Sequence, residues 1–470
     1  AQRYAEYFGV DRFFIEMQHN LVKGDVRRNI KLATLARHLG LGMVASNNAH
    51  YHIRQLHQLH DCLISIRERK SLEETHRERR ANSEFFLKSP LEMSILFDEW
   101  PGAIQNTAEI AERCNFNLTQ DLKYRFPEYE PPEGYSPESY LKKLCYEAAR
   151  RRYGSITNLV DTRLKEEFRL IKKHKLAGFL LHYHAIVQLA RKVMIDMGLS
   201  HPEVPLEERP PGRGRGSSVA LLIGYLIGLS HIDPLKYDLS LERFLPDDLM
   251  TIALDIDLDF PRDIRERLIL AIHQEWGWDR AALTGMHSRY KIKGAIRDLG
   301  RTLGLQAEQV DQLAKRVDNT PATNLSSQMQ GLPGFRDKIR QPGWKDLVRL
   351  APQIHGIPRY IAQHPGGMII SSQPLTNIVP VQRGAIEGRY VCQWDKDDID
   401  AASFVKIDFL ALGTLSQLQE ALLLIEKTNG DVIDVSRINF EDEAVYDMLC
   451  AGDTIGIFQV ESAAQMQTLP

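Results

Sequence analysis

Along much of the chain apolar residues recur every three or four positions, the period of amphipathic helices, but at a few places the period drops to two. The clearest is LDIDLDF, residues 254–260, where Leu254, Ile256, Leu258 and Phe260 alternate with Asp255, Asp257 and Asp259. Strict alternation predicts a strand with the apolar side chains on one face and the acids on the other, roughly 6.5 Å apart. FVKIDFL, residues 404–410, repeats the pattern with Lys406 and Asp408 on one face and Val405, Ile407 and Phe409 on the other. Shorter β-like runs (RFFIEMQ, LGMVAS) alternate with the helical VRRNIKLATLARHLG in the first 115 residues, an α/β texture. The spacing further predicts a helix over about 89–113, a helical region over 139–197 and a helix from Ser217. It also predicts helices between the acidic strand and about 304, a strand at 368–372 and a helix over 413–427. Pro- and Gly-rich segments at 125–140 and 201–216 read as boundaries, and 318–367 reads as loop-rich.

A length of 470 residues suggests two to four domains, and 43% hydrophobic with 26% charged residues is an ordinary globular composition. Cysteines 62, 114, 145, 392 and 450 lie far apart with no CxxC. That spacing excludes a disulfide framework or cysteine-rich zinc site and fits reduced thiols in a cytoplasmic compartment. The most apolar run, 219–229, is too short to span a bilayer, so no membrane partner is expected. A net charge of −3 does not advertise nucleic-acid binding, although a basic groove can sit inside a neutral total. The chain starts at Ala1 inside a helical pattern and stops at Pro470 soon after IGIFQV, and it reads as a fragment.

Aligned carboxylates repel one another unless cations neutralise them. Three readings of LDIDLDF follow: a solvated strand face, a calcium loop, or a platform for two divalent cations in phosphoryl transfer. The calcium reading finds Asp255, Asp257, Asp259 and Glu266 at positions 1, 3, 5 and 12, but Phe260 stands where an EF-hand needs glycine. In FVKIDFL, Asp408 offers a further carboxylate and Lys406 a cation for substrate phosphates; a local Lys/Asp pair on a half-buried strand is the plainer alternative. PGRGRGSS, residues 211–218, interleaves glycines with Arg213 and Arg215 ahead of a Ser-started helix, either an anion cradle or a Gly-rich turn that binds nothing. It is neither a Walker loop nor a dinucleotide fingerprint. His19, His50, His52, His57 and His60, with Glu16 and Asp61, form a possible metal group, and scattered surface histidines are the commoner explanation. The basic run MHSRYKIKGAIRDLGR, residues 286–301, suits a nucleic-acid backbone or simply an exposed helix.

In order, GRGS, IDPLKYDLSLERF, DIDLDF, AIRDLGR, QHPGGMIIS, QWDK, FVKIDFL and GIFQVES resemble the bacterial C-family DNA polymerases of the polymerase III alpha type, and the ending GIFQVESAAQMQTLP is closer to their error-prone branch. The resemblance implies an α/β and α+β multidomain chain: a partial PHP domain (1–120), a polymerase-β-like nucleotidyltransferase palm (121–282 and 373–412), an inserted helical thumb (283–372) and the start of the fingers (413–470). It implies that Asp255, Asp257 and Asp408 hold two magnesium ions, with manganese as an alternative. Gly214, Arg215, Gly216, Ser217, Arg243 and Lys406 would bind the nucleotide triphosphate, and Arg289, Lys291, Lys293 and Arg297 the DNA. Primer-template DNA and dNTPs are the implied partners, with a sliding clamp or other polymerase subunits engaged through regions beyond this chain.

Some positions depart from the family pattern. Leu254 replaces a proline, no GTM stands near Ser288–Tyr290, Ala463 replaces an arginine, and Asn48 replaces an aspartate of metal-binding PHP members. Two rival functions are a catalytically silent DNA-binding scaffold and, disfavoured by Asn48, a PHP metallohydrolase.

Overall fold

A computed structural model describes the chain except for residues 208, 242–244, 246–255, 434 and 436–437. Its contacts divide the chain into two compact units, residues 1–117 with 287–360, and residues 118–286 with 361–470.

In the first unit, β1 (Phe14–Gln18) and β2 (Gly42–Ser46) pair in parallel, joined by the helix Asp25–Leu39, as the alternation of short apolar and helical runs predicts. That helix stops at Gly40, whose φ of +66° is the left-handed conformation glycine adopts without strain. The helix predicted over 89–113 is two, Pro90–Leu96 and Pro101–Arg113. A Ser89–Glu92 capping box opens the first, and Pro101, with no N–H to donate, can only begin a new one. Residues 287–360 build a helical core of Ile296, Leu299, Leu313 and Leu347 against Leu59 and Cys62 of the helix His57–Glu68. The stretch read as loop-rich therefore holds ordered helices, Leu325–Gly331 and Trp344–Ile354. Its Pro and Gly residues obscured the spacing of Trp344, Leu347, Leu350, Ala351 and Ile354, all buried on one face.

The second unit opens with three helices, Pro137–Tyr153, Asn158–Lys173 and Ala177–Asp196, as the helical pattern predicts. Its sheet uses β3 (Arg213–Gly216), β4 (Ile256–Phe260), β5 (Ala281–Arg289), β6 (Pro358–Ile370), β7 (Val381–Arg383), β8 (Tyr390–Cys392) and β9 (Lys406–Ala411). Among the described residues these run β3-β4-β9-β6-β5-β8-β7 across the sheet. Three corrections follow. RGRG is a strand, not the lead-in to a helix at Ser217. The first four residues of the basic run, 286–289, belong to β5, and β6 begins ten residues before the predicted strand at 368.

The core of this unit lies between the sheet and its helices. Leu258, Phe260, Ile407 and Phe409 point into it beside Leu180, Tyr183 and Ile186. Burial of each such side chain is worth about 1.5–3 kcal/mol, which anchors β4 and β9 on their apolar faces. The Tyr183 hydroxyl also donates to the Ile256 carbonyl at 2.9 Å, tying the described start of β4 to the helix beneath. Among the described residues no helix is long and apolar enough to cross a membrane.

Candidate active site

The two alternating stretches are neighbours. β4 and β9 pair in parallel with Asp257 opposite Asp408, while Arg215 of β3 lies opposite Asp257 and Gly367 of β6 opposite Asp408. Cross-strand partners share a face of the sheet, so Arg215, Asp257, Asp408 and Gly367 form one row. Strands sit about 4.8 Å apart, which sets two carboxylates side by side at a repulsive separation. Cations flank both. Lys406 Nζ lies 2.7 Å from Asp408 Oδ2, and Arg215 Nη2 lies 3.4 Å from Asp257 Oδ2. Asp408 Oδ1 is buried and accepts no hydrogen bond from the described residues. An anionic oxygen left this way retains a lone pair for a cation.

Asp259 shares the acids' alternation but not their setting. It is 2% exposed, and Arg215 binds it in fork geometry, Nε to Oδ2 at 2.6 Å and Nη2 to Oδ1 at 3.2 Å. The hydrogen bond to Asp259, outweighing desolvation, raises the Arg215 pKa. Asp259 thus fixes Arg215 next to Asp257, and the calcium-loop reading fails because its described ligand positions, Asp257, Asp259 and Glu266, lie on a strand and a helix rather than a loop.

β3 needs its glycines. A Cβ at Gly214 would stand 2.2 Å from the Leu229 carbonyl oxygen and 2.4 Å from Ser218 Oγ, and Gly216 has φ +68° and ψ −136°, a conformation side chains disfavour. Ser217 is buried in a short 3-10 turn, so the Ser-started helix with free N–H groups is not formed. The helix begins at Leu222, and its first amides are already used. Glu167 Oε1 accepts from Leu222 N–H at 2.8 Å and Oε2 from Ile223 N–H at 2.9 Å, while Arg163 Nε donates to Oε1 at 2.8 Å. Glu167 is fully buried. Desolvation raises its pKa against these three bonds.

The far side of the row is the stretch QHPGG of β6. Pro365 O accepts from Arg265 Nη2, and Arg265 Nε donates to Phe409 O at 2.7 Å, next to Asp408. Gly367 O accepts from Thr284 Oγ1 at 2.7 Å. His364 Nδ1 accepts the backbone N–H groups of Gly366 and Gly367, and burial lowers the imidazole pKa, with nearby Asp408 opposing.

Arg215, Asp257, Lys406 and Asp408 therefore converge, while Gly214 and Gly216 flank Arg215 on β3 but stand opposite Leu258 and Ile256, and Ser217 follows β3 in the buried 3-10 turn; Asp255 and Arg243 lie outside the described residues. Sequence reading missed Glu167, Arg265, His364 and Thr284. One signal for Glu167 was available: it falls on the apolar stripe Val160, Leu164, Leu170 and Ile171 of its helix, where a solvated charge does not belong.

Residues 139–411 match the family model of the bacterial DNA polymerase III alpha NTPase domain, and residues 414–470 match that of the bacterial DNA polymerase III alpha subunit finger domain. The chain belongs to the bacterial DNA polymerase III alpha family. It is 34% identical over 449 residues to an error-prone DNA polymerase of Caulobacter vibrioides, covering 95% of this chain and 40% of that relative. A second of that name, from Bordetella parapertussis, is 36% identical over 435 residues, covering 92% and 39%. A third, from Pseudomonas savastanoi pv. phaseolicola, is 33% identical over 470 residues, covering 100% and 43%. The chain thus spans about two fifths of the length of these polymerases. Every residue of the row lies inside the matched NTPase domain of the polymerase family, as do Glu167, Arg265 and His364.

The basic run belongs to a different arrangement from the exposed helix considered above. Arg289 ends β5, Lys291 precedes the helix Ile292–Thr302, and that helix buries Ile292, Ala295, Ile296 and Leu299. Arg289, Lys291 and Arg297 are exposed, Lys293 is half-buried, and Arg297 pairs with Asp311 at 3.4 Å. The histidine group, before the part matched to the polymerase models, does not gather. Among the described residues His19, His50, His52, His57, His60, Glu16 and Asp61 never bring three ligand atoms within 4.8 Å of one another. His50 and His52 do not share a strand face, since β2 ends at Ser46. The His50 and His60 rings lie 5.0 Å apart, tilted by 47°, and burial lowers both pKa values, His60 to about 4.

Proposed function

We propose that this chain carries the palm of a template-directed DNA polymerase, which transfers a nucleotide from a dNTP to a primer 3′-OH. The observation that carries the reading is the row Arg215, Asp257, Asp408 with Lys406: two adjacent carboxylates backed by two cations on a strand pair fixed by its apolar face. In this reading Asp257 and Asp408 hold divalent metal, magnesium or manganese, and Asp255 completes the set. The unpartnered Asp408 Oδ1 is a fitting ligand atom, because Lys406 occupies only the other oxygen. Bound metal supplies positive charge that lowers the pKa of the 3′-OH and offsets the charge of the reacting phosphate. Lys406 and Arg215 add fixed cations beside the phosphates, and Gly214 and Gly216 let the β3 backbone approach them closely. Arg289, Lys291 and Lys293 present positive charge for the DNA backbone in the same reading. Residues 121–282 and 373–412 would form the palm, 283–372 the thumb, and 413–470 the start of the fingers.

Single-nucleotide extension of a primer-template by the full-length protein tests this. Asp257→Asn should lower extension by at least about 1,000-fold while changing the melting temperature little, since the relief of repulsion from Asp408 is offset by loss of the ion pair with Arg215. Extension unaffected by Asp257→Asn would refute the assignment, and DNA binding without any extension by the wild type would favour the silent scaffold.

A further inference from the structure

The segment of β6 beside Asp408, residues 364–367, is held from both sides by side chains. His364 Nδ1 accepts from Gly366 N–H at 3.2 Å and from Gly367 N–H at 2.8 Å. A side-chain acceptor bonding backbone amides two and three residues on is the geometry of an Asx turn, here made by an imidazole. Because Nδ1 accepts, the neutral ring carries its proton on Nε2. On the carbonyl side, Pro365 O accepts from the buried Arg265 guanidinium and Gly367 O from Thr284 Oγ1.

What this segment lies against gives the arrangement its consequence. Gly367 is the cross-strand partner of Asp408, and a Cβ built on Gly366 or Gly367 would lie 3.5 or 3.3 Å from Asp408 Oδ1. The backbone of β6 at Gly366 and Gly367 is thus the wall beside the one carboxylate oxygen that Lys406 leaves unused. Arg265, donating also to Phe409 O, ties the wall to the strand that carries the acid. Loss of the Nδ1 acceptor would free two amides and let the wall relax toward or away from Oδ1.

We propose that His364 is a positioning residue: through Nδ1 it locks the Pro365–Gly367 segment of β6 against Asp408 and so sets the orientation of that carboxylate for metal. This rests on the polymerase reading of the site. The role belongs to an acceptor at the Nδ1 position, with no requirement for an ionised or proton-transferring imidazole. Asparagine places Oδ1 where Nδ1 stands and can take both N–H groups; glutamine carries its oxygen one atom further out, nearer the place of Nε2.

Three variants of the full-length protein, His364→Asn, His364→Gln and His364→Leu, separate these roles, with Asp257→Asn as the control. The asparagine variant should keep kcat for single-nucleotide insertion within about 3-fold of wild type, while glutamine and leucine lower it by about 30-fold with KM for the dNTP nearly unchanged. A readout independent of turnover is Mn2+ binding followed by electron paramagnetic resonance, where glutamine should weaken the affinity by about 10-fold and asparagine should not. Melting temperatures identify any variant that loses the fold, and the asparagine–glutamine contrast stands without the leucine variant. Rescue by glutamine rather than asparagine would move the role to Nε2 and overturn the proposal, as would equal behaviour of the two. If Asp257→Asn extends primers normally, the polymerase reading itself has failed, which is a different result from an inert His364.

Discussion

Glu167 makes the sharpest quantitative test of how the site is held, because it lies on a helix well away in sequence and has no freedom to compensate. Glu167→Ala removes one acceptor group from three donors: the amides of Leu222 and Ile223, both on fully buried residues, and the Arg163 guanidinium, whose side chain is 16% exposed. Breaking one partner of a buried ion pair costs roughly 3–5 kcal/mol. Each stranded buried amide costs about 1–3 kcal/mol, an overlapping term rather than an additional one. The better helix propensity of alanine returns only a few tenths, so a net loss of roughly 4 kcal/mol is expected. For a unit of this size that corresponds to a fall in Tm of roughly 8–16 °C. Glu167→Gln keeps the volume and one acceptor oxygen and loses the charge facing Arg163, so its loss should be about half as large. Circular dichroism melts and urea titrations of both variants measure these losses directly. The two amides belong to the segment that follows Gly216 and Ser217, so primer extension below the melting range should also fall. A Glu167→Ala protein within about 1 kcal/mol of wild type would show that Glu167 does not hold this segment and that the three short contacts are incidental.

Two further outcomes follow from the same geometry. Gly367→Ala would put a Cβ 2.1 Å from Thr284 Oγ1 and 2.9 Å from Lys406 Cδ; overpacking of about 1–3 kcal/mol and a primer-extension loss of about 100-fold are expected, partly relieved in Gly367→Ala/Thr284→Ala, and wild-type extension by the single variant would refute the close approach. His273 is 7% exposed against Tyr390, and burial, assisted by Arg389, holds its pKa down to about 4; the unfolded chain therefore takes up this proton first, so stability falls as pH drops from 6.5 toward 4, and His273→Gln should flatten the dependence of Tm on pH in that window.

The division between what could and could not be read from the residues is physical. LDIDLDF and FVKIDFL were legible because burial on one side of a two-residue repeat leaves a strand as the natural reading, and the same repeat puts Asp257 and Asp408 on the open face. RGRG has no apolar alternation. It is a strand because Arg215 pairs with Asp257 and Asp259 across the ladder, a stabilisation by charge that hydrophobic spacing does not register. β6 was truncated in the reading because Pro358, Pro365 and two glycines interrupt its pattern, although the residues after them, Met368 to Ile370, are fully buried. The break at Pro101 was legible in principle, since a proline with no N–H is a sequence-level stop.

The harder misses share one cause. Glu167 acts on the amides of Leu222 and Ile223, His364 on those of Gly366 and Gly367, and Arg265 on the carbonyls of Pro365 and Phe409. A backbone partner has no side-chain identity, so no pattern of residue types betrays the pair until the chain is folded. The acids could be found because their chemistry needs particular side chains at a particular spacing. Their supports could not, because they need only an acceptor or donor at the right point in space. It follows that damage from substitution need not track how chemical a residue looks in the sequence. Glu167, one charge among many in TRLKEEFRLIKK, should be more costly to the fold than Asp257, whose removal relieves repulsion while abolishing the chemistry proposed for it.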